Sequence, residues 1–357
     1  MFESFGFEET TAKQASVLFA LGLGAIFGFL AERTKFCFRR SLIGTDRRAA
    51  MGIWLTALAV AVLGTQVAVA FGIIGFDDHR FMASELPALA IVAGGTLFGA
   101  GMVLTRGCVS RLTVLSGSGN LRAALVIVIF AIVAHATLKG VLSPLRTGLG
   151  SVTVELGSFT SLAALPGGMW FWTAMIVLAA LGVALRSGNR ASHLVMAAMI
   201  GTLVPLAWVG TGYILLDDFD PIAMESLSFT SPSAEALFFT IASTSIPAGF
   251  GTGLLGGVVL GALVASLLFG SFQWQSFEAP QQTGRYAAGA VLMGFGGVLA
   301  GGCTVGAGLS GIPTLSVAAI LALAAIVVGA LAMNRVVTRS GREFDGSKAR
   351  QPLQPAE

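Results

Sequence analysis

Charged residues are scarce in this chain: they make up 11% of its 357 residues, whereas hydrophobic residues make up 55%. Soluble proteins carry about 25% charged residues, so this composition excludes a soluble globular domain and is typical of a polytopic membrane protein. The mean hydropathy of +0.84 agrees with that class. The net charge of +3 is small and gives no reason to expect a nucleic-acid partner.

Cysteine and histidine are also rare, with three residues of each. The cysteines form no Cys-x-x-Cys pair and their number is odd, which argues against a disulfide framework and against a dithiol oxidoreductase. The histidines are scattered along the chain, so they indicate no metal site. A nucleotide-binding loop is missing as well. We therefore expect a protein that is not an enzyme and that needs no cofactor or metal.

Long apolar runs are what the chain has in abundance. A helix needs about 20 apolar residues to cross a bilayer, and nine runs come close to that length. They predict an all-α membrane protein with transmembrane helices near residues 15–32, 50–72, 87–105, 121–142, 168–186, 193–215, 248–270, 286–302 and 313–333. An odd number of crossings places the two termini on opposite sides of the membrane.

Basic residues are distributed unevenly between the loops. Residues 33–48 contain six of them, whereas the loops after the second and sixth helices are acidic. Because basic loops face the cytoplasm, segment 1–14 is predicted to be extracytoplasmic and 334–357 to be a disordered cytoplasmic tail. Segment 1–14 lacks the basic start of a signal peptide. Lys139 and Arg146, at the outer end of the fourth helix, depart from the rule.

One Gly-rich segment occurs twice. Residues 97–108 read LFGAGMVLTRGC, residues 292–303 read LMGFGGVLAGGC, and seven of the twelve aligned positions are identical. The predicted helices before the two copies cross the membrane in opposite directions, which indicates an inverted-topology repeat. We assign the halves to residues 15–186 and 187–333. Such halves meet near the bilayer centre, so Cys108 and Cys303 are predicted to approach each other there.

The stretches that follow the two repeats are too short to cross a bilayer. We predict that 109–119 and 304–311 are short re-entrant helices, beginning at Val109 and Thr304. The N-termini of helices present free N–H groups and partial positive charge, so both starts are candidates for binding an anion. A further helix in residues 228–246, partly polar, is expected on the outer surface.

The three cysteines are the candidate pathway residues. Cys108 and Cys303 follow Gly107 and Gly302, where the backbone can come close to a ligand, and Cys37 ends the first helix. Thiols are weak donors and soft partners, suited to a substrate that presents sulfur. The alternative is that they are small packing residues. We assign the position equivalent to Cys37 in the second half to 272–274, which holds no cysteine.

Arg106 and Arg111 flank Cys108. Two interpretations are open for both residues: cytoplasmic anchoring of the helix, or attraction of an anion, since charges at membrane depth are costly and usually functional.

The paired Gly-x-Gly-x-Val-Leu-x-x-Gly-Cys segments, with Arg-Thr-Lys-Phe-Cys at 33–37, resemble the YeeE/YedE family of sulfur transport membrane proteins. The resemblance covers nearly all of 15–333. It implies uptake of thiosulfate across the bacterial inner membrane through an hourglass-shaped pathway. It also implies that the S–H groups of Cys37, Cys108 and Cys303 contact the substrate sulfur in succession.

The first repeat departs from the second, with Thr105-Arg106 where the second has Ala300-Gly301. This difference keeps other sulfur or selenium compounds open as substrates. A Cu(I) or other soft-metal channel is an alternative function, because three thiolates can ligate such an ion. A membrane redox enzyme is a third, without paired cysteines to support it. The expected partners are the thiosulfate ion and the lipid bilayer, with a cytoplasmic sulfur-carrier or sulfurtransferase protein as a further candidate.

Overall fold

The structure is a computed structural model that describes residues 11–217, 221–277 and 279–344. Helices account for 74% of it, and the strands, Glu85–Leu86 and Val154–Glu155, form one antiparallel pair of two residues each within the described ranges. The predicted all-α fold is confirmed. The α-helices are α1 Ala12–Thr34, α2 Phe38–Ile43, α3 Arg47–Ala70, α4 Ala88–Leu104, α5 Val109–Gly117, α6 Leu121–Lys139, α7 Ser143–Gly150, α8 Gly168–Leu185, α9 Ala191–Val209, α10 Thr230–Ala242, α11 Phe250–Leu268, α12 Pro280–Leu299 and α13 Val317–Phe344.

Nine helices of the described chain are long and apolar enough to cross a membrane, as predicted. They are α1, α3, α4, α6, α8, α9, α11, α12 and α13. Short helical segments lie between them: α2, α5, α10 and a π-helix at Thr304–Gly311, with a π-helical turn at Gly210–Ile214 extending α9. The short helices after Cys108 and Cys303 were predicted from the sequence, whereas α2 was not.

The helices α1–α6 and α9–α13 make matching contacts. Helix α1 packs on α11, and α9 packs on α3 in the same way. Helix α4 packs on α13, and α12 correspondingly packs on α6. Helix α2 adjoins α3, and α10 likewise adjoins α11. This pattern equates α2 with α10, so the position equivalent to Cys37 is Phe229, which precedes α10, and the sequence assignment to 272–274 was wrong. Helices α7 and α8 lie between the two sets, and the domain boundary at residue 186 stays a prediction.

The two Gly-rich repeats lie on helices that cross each other. A side chain on Gly94 of α4 would meet the carbonyl oxygen of Gly296 of α12 at 2.7 Å, and one on Gly296 would meet that of Gly94 at 2.5 Å. Gly101 and Gly289 are related in the same reciprocal way. In the repeat alignment Gly94 corresponds to Gly289 and Gly101 to Gly296. The alignment of the halves therefore converts the contact of Gly94 with Gly296 into the contact of Gly289 with Gly101. A pseudo-two-fold axis through the crossing of α4 and α12 requires this relation.

Two sequence expectations about the outer segments need correction. Helix α10 does not lie on the surface along its whole length, because Thr230, Pro232, Ser233 and Ala234 in its first turns are buried against neighbouring helices. Helix α13 continues to Phe344, so the chain is helical where the disordered tail was predicted to begin. Residues 345–357 and 1–10 lie outside the described residues, as do Asp218 and Asp220 of the acidic loop.

Candidate functional site

Each of the three cysteines occupies the N-cap position of a short helix. Cys37 precedes α2, Cys108 precedes α5 and Cys303 precedes the π-helix, and all three have extended backbone angles. Their exposed fractions are 7%, 1% and 0%, so none of the thiols faces lipid or open solvent. A shared placement at three helix starts is more than packing of small side chains requires.

Cys37 and Cys108 are in direct contact. Their Sγ atoms lie 3.9 Å apart, and the Sγ of Cys108 lies 3.3 Å from the hydroxyl of Ser110. Both cysteines are free thiols. The sequence predicts that Cys108 and Cys303 approach each other; the direct thiol contact of Cys108 is with Cys37, and Cys108 also interacts electrostatically with Cys303.

Cys303 is held by its own short helix. Its Sγ accepts a hydrogen bond of 3.3 Å from the N–H of Gly306, and every residue of Thr304–Gly311 is buried. The hydroxyl of Thr304 is buried without a hydrogen-bond partner among the described residues. A buried donor with no partner is costly, and a bound ligand would satisfy it.

Three buried phenylalanines link the surroundings of Cys37 with those of Cys303. The ring of Phe27 lies 6.0 Å from that of Phe36, next to Cys37, and 5.5 Å from that of Phe229. The backbone of Phe229 in turn interacts with the thiol of Cys303. These rings therefore form an apolar segment that connects the surroundings of Cys303 with those of Cys37.

The two Gly-Cys turns share one backbone shape. Arg106 has φ of 59° and the aligned Gly301 has φ of 73°, both in the left-handed region. For a non-glycine residue this conformation costs about 1 kcal/mol. Gly107 and Gly302 serve packing, because added side chains would meet Leu112 at 3.1 Å and the backbone N of Ala307 at 2.9 Å. Val109 and Thr304 begin the short helices as predicted.

The two arginines near Cys108 differ in their surroundings. Arg111 is 3% exposed and its guanidinium donates to the carboxylate of Glu32 at 3.1 Å and to the carbonyl of Ala31 at 3.2 Å. Its charge is already compensated within the protein, which favours a structural role. Arg106 forms no such ion pair in the described chain. Its charge interacts with that of Arg285, and the charge of Arg39 also interacts with that of Arg285. These three residues form a basic cluster near Cys108.

A large cavity reaches the π-helix from the opposite side of the fold. Its volume is about 700 Å³. Gly306 and Ser310 of the π-helix line it, so the cavity ends beside the residue that donates its N–H to Cys303. Arg80 of the loop after α3, Trp208 of α9 and Glu225 of the loop after α9 complete its wall.

Comparison with known proteins adds a second line of argument to this geometry. The family described as sulphur transport matches residues 33–332, which is most of the chain. The chain belongs to the sulphur transport family. The thiosulfate transporter TsuA of Escherichia coli is 27% identical over 323 residues, covering 82% of this chain and 86% of the relative. The thiosulfate transporter TsuA of Spirochaeta thermophila is 25% identical over 332 residues, covering 89% of this chain and 98% of the relative.

As a sulphur transport family member, this chain is a multi-pass membrane protein, and the resemblance noted from its repeats is confirmed. Sequence reasoning missed the cavity wall. Arg80 was not singled out, and Glu225, Asp77 and Asp78 served only as markers of orientation. The signal that could have found them is that Arg80 is basic in a loop that is otherwise acidic. No cluster of three or more His, Cys, Asp or Glu with metal-site geometry occurs in the described ranges.

The loop that carries Arg80 is held by an aromatic cluster. The ring of His79 packs edge-on against Trp208 at 5.2 Å and Phe76 at 6.0 Å, and its Nδ1 accepts the N–H of Phe81 at 3.3 Å. Burial, together with the charge of Arg80, lowers the pKa of His79 to about 4. A neutral His79 therefore keeps this wall of the cavity in place at neutral pH.

Proposed function

We propose that this protein imports thiosulfate across the bacterial inner membrane, and that Cys37, Cys108 and Cys303 donate hydrogen bonds to it in succession. The observation that carries the proposal is that each of the three buried cysteines occupies the N-cap position of a short helix. Two relatives that cover most of the chain are named thiosulfate transporters, which supports the substrate. Helix starts supply N–H groups to an anion, and thiols supply soft donors to its terminal sulfur.

In this proposal the anion enters from the large cavity. Arg80 attracts it there, and the buried indole N–H of Trp208, which has no partner among the described residues, is available as a donor. The cavity ends at Gly306, so the anion next reaches Cys303 and the hydroxyl of Thr304. We assign this side to the outside of the cell, following the distribution of basic residues.

The apolar segment of Phe27, Phe36 and Phe229 separates the two thiol stations. An ion that crosses it loses its hydration, which is costly unless donors lie directly on either side. In this proposal Cys303 lies on one side of the segment and the Cys37 and Cys108 pair on the other, which the ring contacts and the thiol contact support. Thiosulfate is better suited to this crossing than sulfate, because its terminal sulfur is more weakly hydrated than an oxygen.

The basic cluster of Arg39, Arg106 and Arg285 then receives the anion on the cytoplasmic side. No bond of the substrate breaks along this path, so the role is transport and needs no enzyme activity or cofactor. A cytoplasmic sulfurtransferase or sulfur-carrier protein would consume the product and keep its concentration low.

Uptake of radiolabelled thiosulfate by cells that express the protein tests the proposal. We expect Cys108→Ala and Cys303→Ala to abolish or sharply reduce uptake while the protein still inserts, and Cys37→Ala to have a strong effect. A change from S–H to CH₃ removes a donor with little change in volume, so folding should survive. Full uptake by Cys108→Ala and by Cys303→Ala would refute the cysteine pathway, and absence of uptake by the wild type would refute the function.

A further inference from the structure

Arg80 and Glu225 face the large cavity from two different loops. Arg80 begins the 3₁₀ turn Arg80–Met82 after α3, and Glu225 lies between α9 and α10. In the described part of the chain, neither side chain forms a hydrogen bond or a close ion pair with another residue. Two opposite charges thus share one cavity and interact through it without neutralising each other by contact.

Glu225 is held in a fixed place although its carboxylate is free. The hydroxyl of Thr211, on the π-helical turn, donates to the carbonyl of Glu225 at 2.7 Å and accepts from its N–H at 3.0 Å. Arg80 is placed by Phe81, whose ring centroid lies 5.1 Å from the guanidinium carbon. The geometry is therefore that of a preformed site for a charged ligand.

The surroundings of Glu225 make its charge sensitive to pH in the neutral range. Burial and the nearby carboxylate of Glu235 raise the pKa of Glu225 to about 7, against the opposing charge of Arg80. Glu235 is itself fixed by the hydroxyl and N–H of Thr252 at 3.3 and 3.4 Å. The other titratable side chains that face the cavity in the described chain are Asp77, Asp78 and His79.

We propose that Arg80 and Glu225 form a loading site that binds a divalent oxyanion together with one proton, so that binding of thiosulfate is coupled to binding of a proton. This inference rests on the proposed function, since it names the step by which the anion is first held. An ionised Glu225 repels the anion and competes with it for Arg80. A protonated Glu225 does neither and can donate its O–H to the anion.

The charges of the site balance under this scheme. The empty site holds the guanidinium and a carboxylate, and its net charge is zero. On loading, a dianion binds Arg80 and one proton from water forms an O–H bond on Glu225. The loaded site then carries one negative charge in place of two. When the anion moves on toward Cys303, Arg80 again attracts the carboxylate, and Glu225 releases its proton to the solvent in the cavity.

Binding of thiosulfate to the purified full-length protein in lipid nanodiscs, measured by titration calorimetry across neutral pH, tests this coupling. For the wild type we expect affinity to fall by about tenfold per pH unit above a pH of about 7. We expect up to one proton to be taken up per anion, as detected by an indicator in weak buffer. Glu225→Gln should bind without this pH dependence and without proton uptake, and Arg80→Gln should bind more weakly at every pH.

Asp78→Asn is the matched control, because Asp78 lines the same cavity and should leave the pH dependence intact. Unchanged pH dependence in Glu225→Gln, or wild-type binding without proton uptake, would overturn the coupling. The second measurement needs no variant, so it holds even if Glu225→Gln misfolds. Wild-type cells that accumulate thiosulfate while either result is found would show that only the coupling has failed and not the transport function.

Discussion

The thiol of Cys37 lies against the thiol of Cys108, with 3.9 Å between their Sγ atoms. The two residues are 71 positions apart in the chain, and they cap short helices that follow different transmembrane helices. Their contact brings two donors to a single point of the proposed pathway. In the proposed pathway a substrate there is held by two S–H groups at once, whereas at Cys303 it meets one.

This contact predicts sensitivity to oxidation. We expect diamide to join Cys37 and Cys108 in a disulfide, with the two thiols oxidised and diamide reduced, because the sulfur atoms need to move closer by only about 2 Å. Thiol labelling of the denatured protein after treatment should then detect one free thiol in place of three, and dithiothreitol should restore the labelling and the uptake of thiosulfate.

Single substitutions identify the pair. Cys303→Ser should still lose two thiols to diamide, whereas Cys108→Ser should lose none. Loss of thiols that involves Cys303 in the wild type would contradict the arrangement of the three residues.

Substitution of Arg106 is a second test of the proposed pathway, because the aligned residue of the other repeat, Gly301, shows that glycine fits this backbone position. Gly301 has the same left-handed backbone without a side chain, so Arg106→Gly should fold normally, with a free energy of unfolding within about 1 kcal/mol of the wild type. We expect thiosulfate uptake to fall by about tenfold, since a charge-assisted hydrogen bond contributes about 1.5 kcal/mol. Arg106→Lys, which keeps the charge, should retain most of the uptake. Wild-type rates in Arg106→Gly would indicate that Arg106 only anchors the helix.

The sequence was sufficient for the crossings because each one requires about 20 apolar residues and that requirement is local. The repeat around Cys108 and Cys303 could also be predicted, because similar Gly-rich segments pack in similar ways. The contact between Cys37 and Cys108 could not be predicted from the sequence. The contact depends on α2 turning back after Cys37, and six residues carry too little periodicity to predict a helix.

The residues of the cavity wall could not be predicted from the sequence for a different reason. Glu225 looks like one of several acidic loop residues in the sequence. Its burial and its proximity to Arg80 arise only when Thr211 fixes the loop backbone after α9. Acidic loops indicate which side of the membrane a loop lies on, but they do not indicate which carboxylate lines the cavity.

Two adjacent glycines of α11 offer a matched test of the helix packing. A side chain on Gly257 would collide with the backbone of α1 at Leu21 and Ala25, whereas one on Gly256 would meet nothing within 4 Å. We expect Gly257→Ala to lower the free energy of unfolding by about 1–3 kcal/mol through overpacking. Gly256→Ala should be neutral or stabilising by about 0.5–1 kcal/mol, because alanine favours the helix. Thermal unfolding in detergent measures both, and equal midpoints would contradict the close approach of α1 and α11.

The stability of the cavity wall should depend on pH through His79. Burial and the charge of Arg80 lower the pKa of His79 to about 4 from its ordinary value of 6.5, so the folded state binds the proton more weakly than the unfolded state. The stability that neutral His79 contributes is therefore complete above a pH of about 6.5 and is lost progressively as the pH falls toward 4. Protonation also removes the Nδ1 acceptor of the Phe81 N–H.

We accordingly expect amide exchange in the loop that carries Arg80 to accelerate as the pH is lowered from 6.5 to 5, after correction for the intrinsic rate. The variant His79→Phe keeps a ring against Trp208 and Phe76 but cannot take up a proton, so its corrected exchange should change less over the same range. Exchange in α3, which lies outside the cluster, serves as the internal reference. An equal acceleration in the variant would show that protonation of His79 is not the cause.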